Sequence, residues 1–170
     1  MTDFNKTDNP ILIAEEFAKA EKRNGYEFDF TIKSLEIELE RFLETKHKRK
    51  LNEREMLNAS LTAYLGETIC RVFNAKWTGT YYGPLNPNGA NYYTCKISLH
   101  NSDFYVSHYF DRFFSDNGIG EDGTFNEYLY GRKPHPEPNI NYYEGLITLI
   151  KKTIANNGSC CTTLEKRKNA

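Results

Sequence analysis

The sequence predicts an α+β domain: three N-terminal helices, a small antiparallel sheet and a C-terminal helix. Apolar residues recur at helical spacing as far as Val72. From Trp77 the period switches to alternation, and after residue 141 it returns to helical spacing. The chain also has only two valines, Val72 and Val106. Its strands must therefore draw on Tyr, Phe, Ile and Thr, which equally suit a pleated, half-buried surface.

The first helix starts with Asn9 as N-cap and Pro10 at the first helical position, and Gly25 terminates the segment. In "TIKSLEIELERFLE", Ile32, Leu35, Leu39, Phe42 and Leu43 fall at helical spacing, with Thr31 or Ser34 as cap. The basic run "KHKRK" suits that helix's C-terminus. Asn52 and Glu55 resemble a capping pair for a third helix, whose core stripe is Leu57, Leu61, Tyr64, Leu65, Thr68 and Val72. Beyond Trp77, "KWTGTYY" and "YYTCKISL" alternate. The second sets Tyr93, Cys95, Ile97 and Leu99 on the core face against Tyr92, Thr94, Lys96 and Ser98.

"GPLNPNGAN" between them is a loop, "HNSD" a turn, and "FYVSHYF" either a third strand or the start of a short helix. "SDNGIGEDG" follows as an acidic loop, "TFNEYLYG" as a helical turn or two, and "RKPHPEPN" as an extended connector. The last helix is expected from near Asn141, with Tyr143, Leu146, Ile147, Ile150 and Ile154 as its stripe. Residues 1–157 form one domain in this scheme, and 158–170 a disordered polar tail.

Composition narrows the function classes. With 22 basic and 23 acidic residues the formal net charge is −1, so a nucleic-acid partner is not expected. No apolar run reaches the 18 or so residues of a membrane span, and the N-terminus has acids where a signal peptide needs bases; a soluble, cytoplasmic protein is expected. The four cysteines lack zinc spacing and are expected to be reduced thiols, with no metal and no cofactor.

The most patterned stretch is "AYLGETICRVFNAKW". Gly66 within a helix costs about 1 kcal/mol relative to Ala, so close approach of another group should offset it. Glu67 and Arg71 stand in the favourable order for a helical ion pair. A catalytic carboxylate would want a second acid or a histidine beside it, and the stretch has neither. Gly66, Glu67, Arg71 and Trp77 are therefore expected to form a packing joint where the helix meets the sheet.

These motifs carry a resemblance. "SLEIELERFL", "AYLGETICRVFNAKW" and the aromatic strands, over roughly residues 30 to 130, resemble a loose group of small, uncharacterised bacterial proteins with a "YLGE" helix followed by a Trp-led sheet. Members of that group look like companions of secreted or contact-dependent toxins, so the resemblance implies an immunity role with a toxin as protein partner. The loop at 83 to 91 and the cysteine-bearing tail depart from the group.

Other candidates have blander explanations. Asp116 and Glu127 fit positions one and twelve of a calcium loop, but Gly118, Gly120 and Glu121 stand where ligands and the turn glycine belong. His100, His108 and Asp111 form the nearest histidine cluster. On a strand, His108 would share a face with Phe104 and Val106 as a core histidine. Cys70 and Cys95 fall on apolar faces, where burial makes them inert.

Paired tyrosines in alternating strands send one ring inward and one outward, so Tyr82 and Tyr92 are candidate contacts, together with Asp116, Glu121 and Asp122 of the acidic loop. The sequence thus favours a non-catalytic binding protein, which the resemblance would make an immunity or antitoxin-like inhibitor. The alternative is a small enzyme with Glu67, His108 and Asp111 as acid/base groups.

Overall fold

Helix α1, Pro10–Lys22, starts as its first residues dictate: the extended Asn9 accepts the Ile11 N–H on its side chain at 2.9 Å, and Pro10 needs no donor partner. At its end Gly25, with φ +86°, closes a Schellman motif through Tyr26 N–H to the Glu21 carbonyl and Gly25 N–H to the Lys22 carbonyl. A computed structural model describes residues 9–46, 51–78, 96–116, 124–131 and 144–168 of the chain.

The next helical segment is capped by Thr31, whose hydroxyl accepts the Ser34 N–H at 3.1 Å. It then widens into a π-helical stretch, Ser34–Leu39, before α2, Glu40–Lys46. A π-helical turn is rare and sheds i→i−4 bonds. Here it still leaves Leu35, Leu39, Phe42 and Leu43 buried.

Helix α3, Leu51–Phe73, is the axis of the fold. From Leu57 to Ile69 every residue is buried, as befits a helix enclosed by neighbours on all sides. Its small residues Ala59 and Ala63 take Ile13 and Ala14 of α1. Tyr64 sits among Phe17, Phe28 and Phe30, ring centroids 4.7 to 5.8 Å away. The predicted stripe holds through Thr68, but Val72 is exposed. In the last turn the inward face passes through Ile69 and Phe73 instead. Asn74, with φ 56°, ends the helix.

Among the described residues three antiparallel strands follow, in the order β1 (Lys76–Thr78), β2 (Lys96–Leu99), β3 (Ser102–Phe104). Trp77 pairs with Ile97, Ile97 with Phe104, and Leu99 with Ser102. Ile97 and Leu99 face the core, and Lys96 and Ser98 the other side, in the predicted parity. The turn is tighter than "HNSD". His100 and Asn101, at φ 49° and 66°, form a two-residue connection of the primed kind, and Ser102 and Asp103 already belong to β3. The ambiguous "FYVSHYF" divides: Phe104 ends β3, and Ser107 opens α4, Ser107–Asp116.

Helix α5 is short, Phe125–Tyr130, and α6 spans Leu146–Lys168. The last helix thus begins at Leu146 rather than near Asn141, and its backbone continues past Gly158, where the sequence places a tail. Its start is pressed against the end of α5. A Cβ on Gly145 would come 2.3 Å from backbone atoms of Leu129, Tyr130 and Gly131, and Thr148 donates its hydroxyl proton to the Tyr130 carbonyl at 2.8 Å. Phe110 of α4 stacks on Phe125 of α5 at 4.6 Å, joining these helices to the common core. No described helix is long and apolar enough to cross a membrane.

Candidate functional site

Two places gather the polar residues that the sequence singles out. The first is the junction of α3 with β1. The Trp77 ring lies on Gly66 so closely that a Cβ there would stand 2.1 Å from its Cη2. The indole N–H donates to Glu67 Oε2 at 3.0 Å, and Arg71 Nε donates to Glu67 Oε1 at 2.8 Å. Arg71 reaches on to Glu15 Oε1 of α1 at 2.9 Å, with its guanidinium 3.9 Å from the Phe30 ring centroid. Burial works against the Arg71 charge, but the Glu67 and Glu15 carboxylates outweigh it and hold the group above its ordinary pKa. Both oxygens of the buried Glu67 are occupied from within the fold.

A second internal network lies beneath it. Tyr64 and Ser34 share a 2.6 Å hydrogen bond, and the Tyr64 oxygen accepts the Phe30 N–H at 3.2 Å, at a residue whose φ of 59° is unusual for phenylalanine. Burial raises the Tyr64 phenol above its usual range. On the other side of the core the Glu40 carboxylate caps α5. It accepts the Phe125 and Asn126 N–H groups, each at 2.9 Å, while Asn126 Nδ2 donates to the Glu36 carbonyl and the Tyr130 hydroxyl to the Glu36 carboxylate. Burial raises the Glu40 carboxyl, and the two amide donors oppose it.

The second place is an open cleft of about 850 Å3 where β3, α4 and the start of α6 meet. Tyr105, Tyr109, His108, Asp111 and Arg112 wall it, with Asp103 and Glu144 adding carboxylates. His108 is exposed and stacks on Tyr105 at 5.5 Å, whereas Phe104 and Val106 are buried. It is therefore not a core histidine, because the helix starting at Ser107 breaks the strand parity that would have turned it inward. Asp111 accepts a 2.6 Å bond from Asn58 Nδ2, and Asn58 accepts one from Thr62, linking the cleft to the buried face of α3. Burial pushes the Tyr109 phenol up to about 12, against the pull of Arg112. On the adjoining sheet face Ser98 donates to Asp103 at 2.5 Å, and Lys96 pairs with the same carboxylate.

The joint unites Gly66, Glu67, Arg71 and Trp77. The cleft brings together His108 and Asp111, without Glu67 among its described walls. Asp116 is the last residue of α4; Tyr82, Tyr92, Glu121, Asp122 and Cys95 lie outside the described residues. Cys70 is half-buried rather than sealed in the core. Among the described residues no three His, Cys, Asp or Glu side chains group as metal ligands.

Tyr105, Tyr109, Arg112 and Glu144 escape sequence reasoning as cleft walls, since only the turn of α4 against β3 and α6 assembles them. No protein family, curated protein or solved structure matches this chain.

Proposed function

We propose that the protein is a non-catalytic binding protein whose cleft between β3, α4 and α6 engages a protein partner. The observation that supports it most is the contrast in how the polar groups are used. Glu67, the carboxylate nearest in pattern to a catalytic acid, is bound on both oxygens inside the joint, whereas the cleft presents tyrosine rings and charges on an open surface. Aromatic side chains and arginine are the residues that most often dominate binding at protein interfaces. The resemblance to proteins that accompany toxins makes a toxin the partner, with inhibition as the outcome. Tyr82 and Tyr92, which strand parity in the sequence would turn outward, and the acids Asp116, Glu121 and Asp122 remain proposed as further contacts.

The test is capture of the partner from the source cell by wild type and by Tyr105→Ala with Arg112→Ala. Loss of capture by a folded variant supports the cleft, and undiminished capture rejects it. An enzyme is the second reading, favoured by His108 and Asp111 sharing the cleft one helical turn apart. It requires turnover that disappears in His108→Ala and leaves partner capture intact.

A further inference from the structure

We infer that the partner enters the cleft as an extended segment and pairs, as an added strand, with the outer edge of β3. This rests on the cleft being the binding face and adds the form of what enters it. Among the described residues β3 is the last strand on its side of the sheet. Asp103 and Phe104 are neighbours on it and point to opposite faces, one exposed and one buried. Both line the cleft, together with Tyr105, whereas no residue of β2 does. A cleft that touches both faces of β3 and nothing of the strand behind it runs along the edge of the sheet.

That edge presents main-chain groups to the cleft. The two-residue connection makes Leu99 and Ser102 the hydrogen-bonded pair next to the turn, and Ile97 with Phe104 the next such pair. The N–H and C=O of Asp103 therefore point away from β2. The Tyr105 N–H follows on the same side and donates to no described residue, while the Tyr105 carbonyl accepts the His108 N–H at 3.2 Å as the chain turns into α4. The carboxylates of the walls are matched already, Asp103 by Lys96, Glu144 by Lys152 and Asp111 by Asn58. The backbone of β3 is what the cleft leaves open.

Main-chain groups on a sheet edge are recognised by another main chain, which supplies the same groups in the same spacing. A second copy of this chain fits badly. Antiparallel pairing of two β3 edges sets Asp103 directly opposite Asp103, and like charges so placed are destabilising. The occupant is therefore a strand of the protein partner, and the volume of about 850 Å3 leaves it room. Its side chains would face the buried Phe104 side and the exposed Asp103 side by turns, which calls for an apolar and polar alternation.

The experiment begins with amide hydrogen exchange of the full chain alone, in which Asp103 and Tyr105 should exchange faster than Phe104, which is bonded to β2. The chain is then titrated with acetyl-Thr-Val-Thr-Val-Thr amide and with two analogues, N-methylated at the valines or at the threonines, following the Asp103 and Tyr105 amides and the Tyr105 and His108 rings by NMR. Alternate residues of a strand bond to opposite sides, so each analogue loses the donors of one edge. The parent peptide should shift those resonances, and one analogue should bind about tenfold more weakly than the other. Asp103→Pro deletes the outward N–H at a position where an edge strand accepts proline, and it should weaken the parent peptide more than Asp103→Ala does. Melting curves establish that both variants fold.

Protection of the Asp103 and Tyr105 amides in the free chain overturns the partner strand, and its dependence on protein concentration tells a second copy from another segment of the same chain. Ring shifts with both analogues binding alike overturn strand addition while leaving the cleft as the binding place. Absence of any shift at the two amides also overturns it, and the cleft is then judged separately by partner capture with Tyr105→Ala and Arg112→Ala.

Discussion

The joint around Trp77 and the cleft beside α4 are built from the same kinds of residue and differ in where their hydrogen bonds end. At the joint an acid, an arginine and an indole satisfy one another, and the acid is almost fully buried. At the cleft, Asp103 and Glu144 lie at the surface, paired with Lys96 and Lys152, beside Arg112 and two phenols, and Asp111 alone is tied inward, to Asn58. Burial therefore decides the role. A buried carboxylate must be matched inside the fold or it costs stability, whereas an exposed one remains open to exchange. The contrast predicts that changes at the joint act on folding and changes at the cleft act on binding.

The sharpest way to break that contrast is Gly66→Leu. Its side chain would occupy the space of the Trp77 ring, and overpacking should cost about 3 kcal/mol despite the better helix propensity of leucine. Urea unfolding measures it, and an unchanged midpoint would leave the joint without its close approach. Glu67→Ala comes next. It strips a buried acceptor from the Trp77 indole and from Arg71, at about 2 kcal/mol by the same assay, with partner capture retained once the variant is folded.

At the cleft, Tyr105→Ala with Arg112→Ala should reverse the pattern. Stability should stay within about 0.5 kcal/mol, as for surface substitutions generally. Capture should fall about tenfold, which is about 1.4 kcal/mol of binding. Equal losses of stability and capture would erase the distinction between the two regions.

The smallest effect belongs to Asp103. Lys96 first and Ser98 second hold its carboxyl below the ordinary value of 3.8. A lowered carboxyl contributes stability that is present above its unfolded pKa and lost as pH falls through the folded one. In a melting series taken downward from pH about 5, the loss below pH about 4 should therefore be slightly smaller in Asp103→Asn than in wild type.

Much of the fold can be read locally. Asn9 and Pro10 mark a helix start because cap and first turn are adjacent in sequence, and Ile97 with Leu99 reveals the buried face of β2 because strand parity has a period of two. Gly66 signals a close approach by its cost in a helix, and Trp77 follows within eleven residues. The elements that escape depend on distant partners or on backbone geometry with no compositional mark. Nothing in "SLEIEL" announces a π-helical turn. Neither His100 nor Asn101 is glycine, yet both take the left-handed region, so β3 starts two residues earlier than the pattern suggests. The cleft is half legible: residue type marks His108 and Asp111, but nothing local shows that α3 carries Glu67 to the joint instead.

The Glu40 clamp also bears on when parts of the molecule come apart. Helix α5 has six residues, too few to persist alone in water, and its first two amides end on a carboxylate 85 and 86 positions earlier in the chain. The exchange of those two amide protons with deuterium consequently times the undocking of α5. It should run faster than exchange from the enclosed middle of α3, and Glu40→Ala should accelerate it while the α3 amides keep their pace.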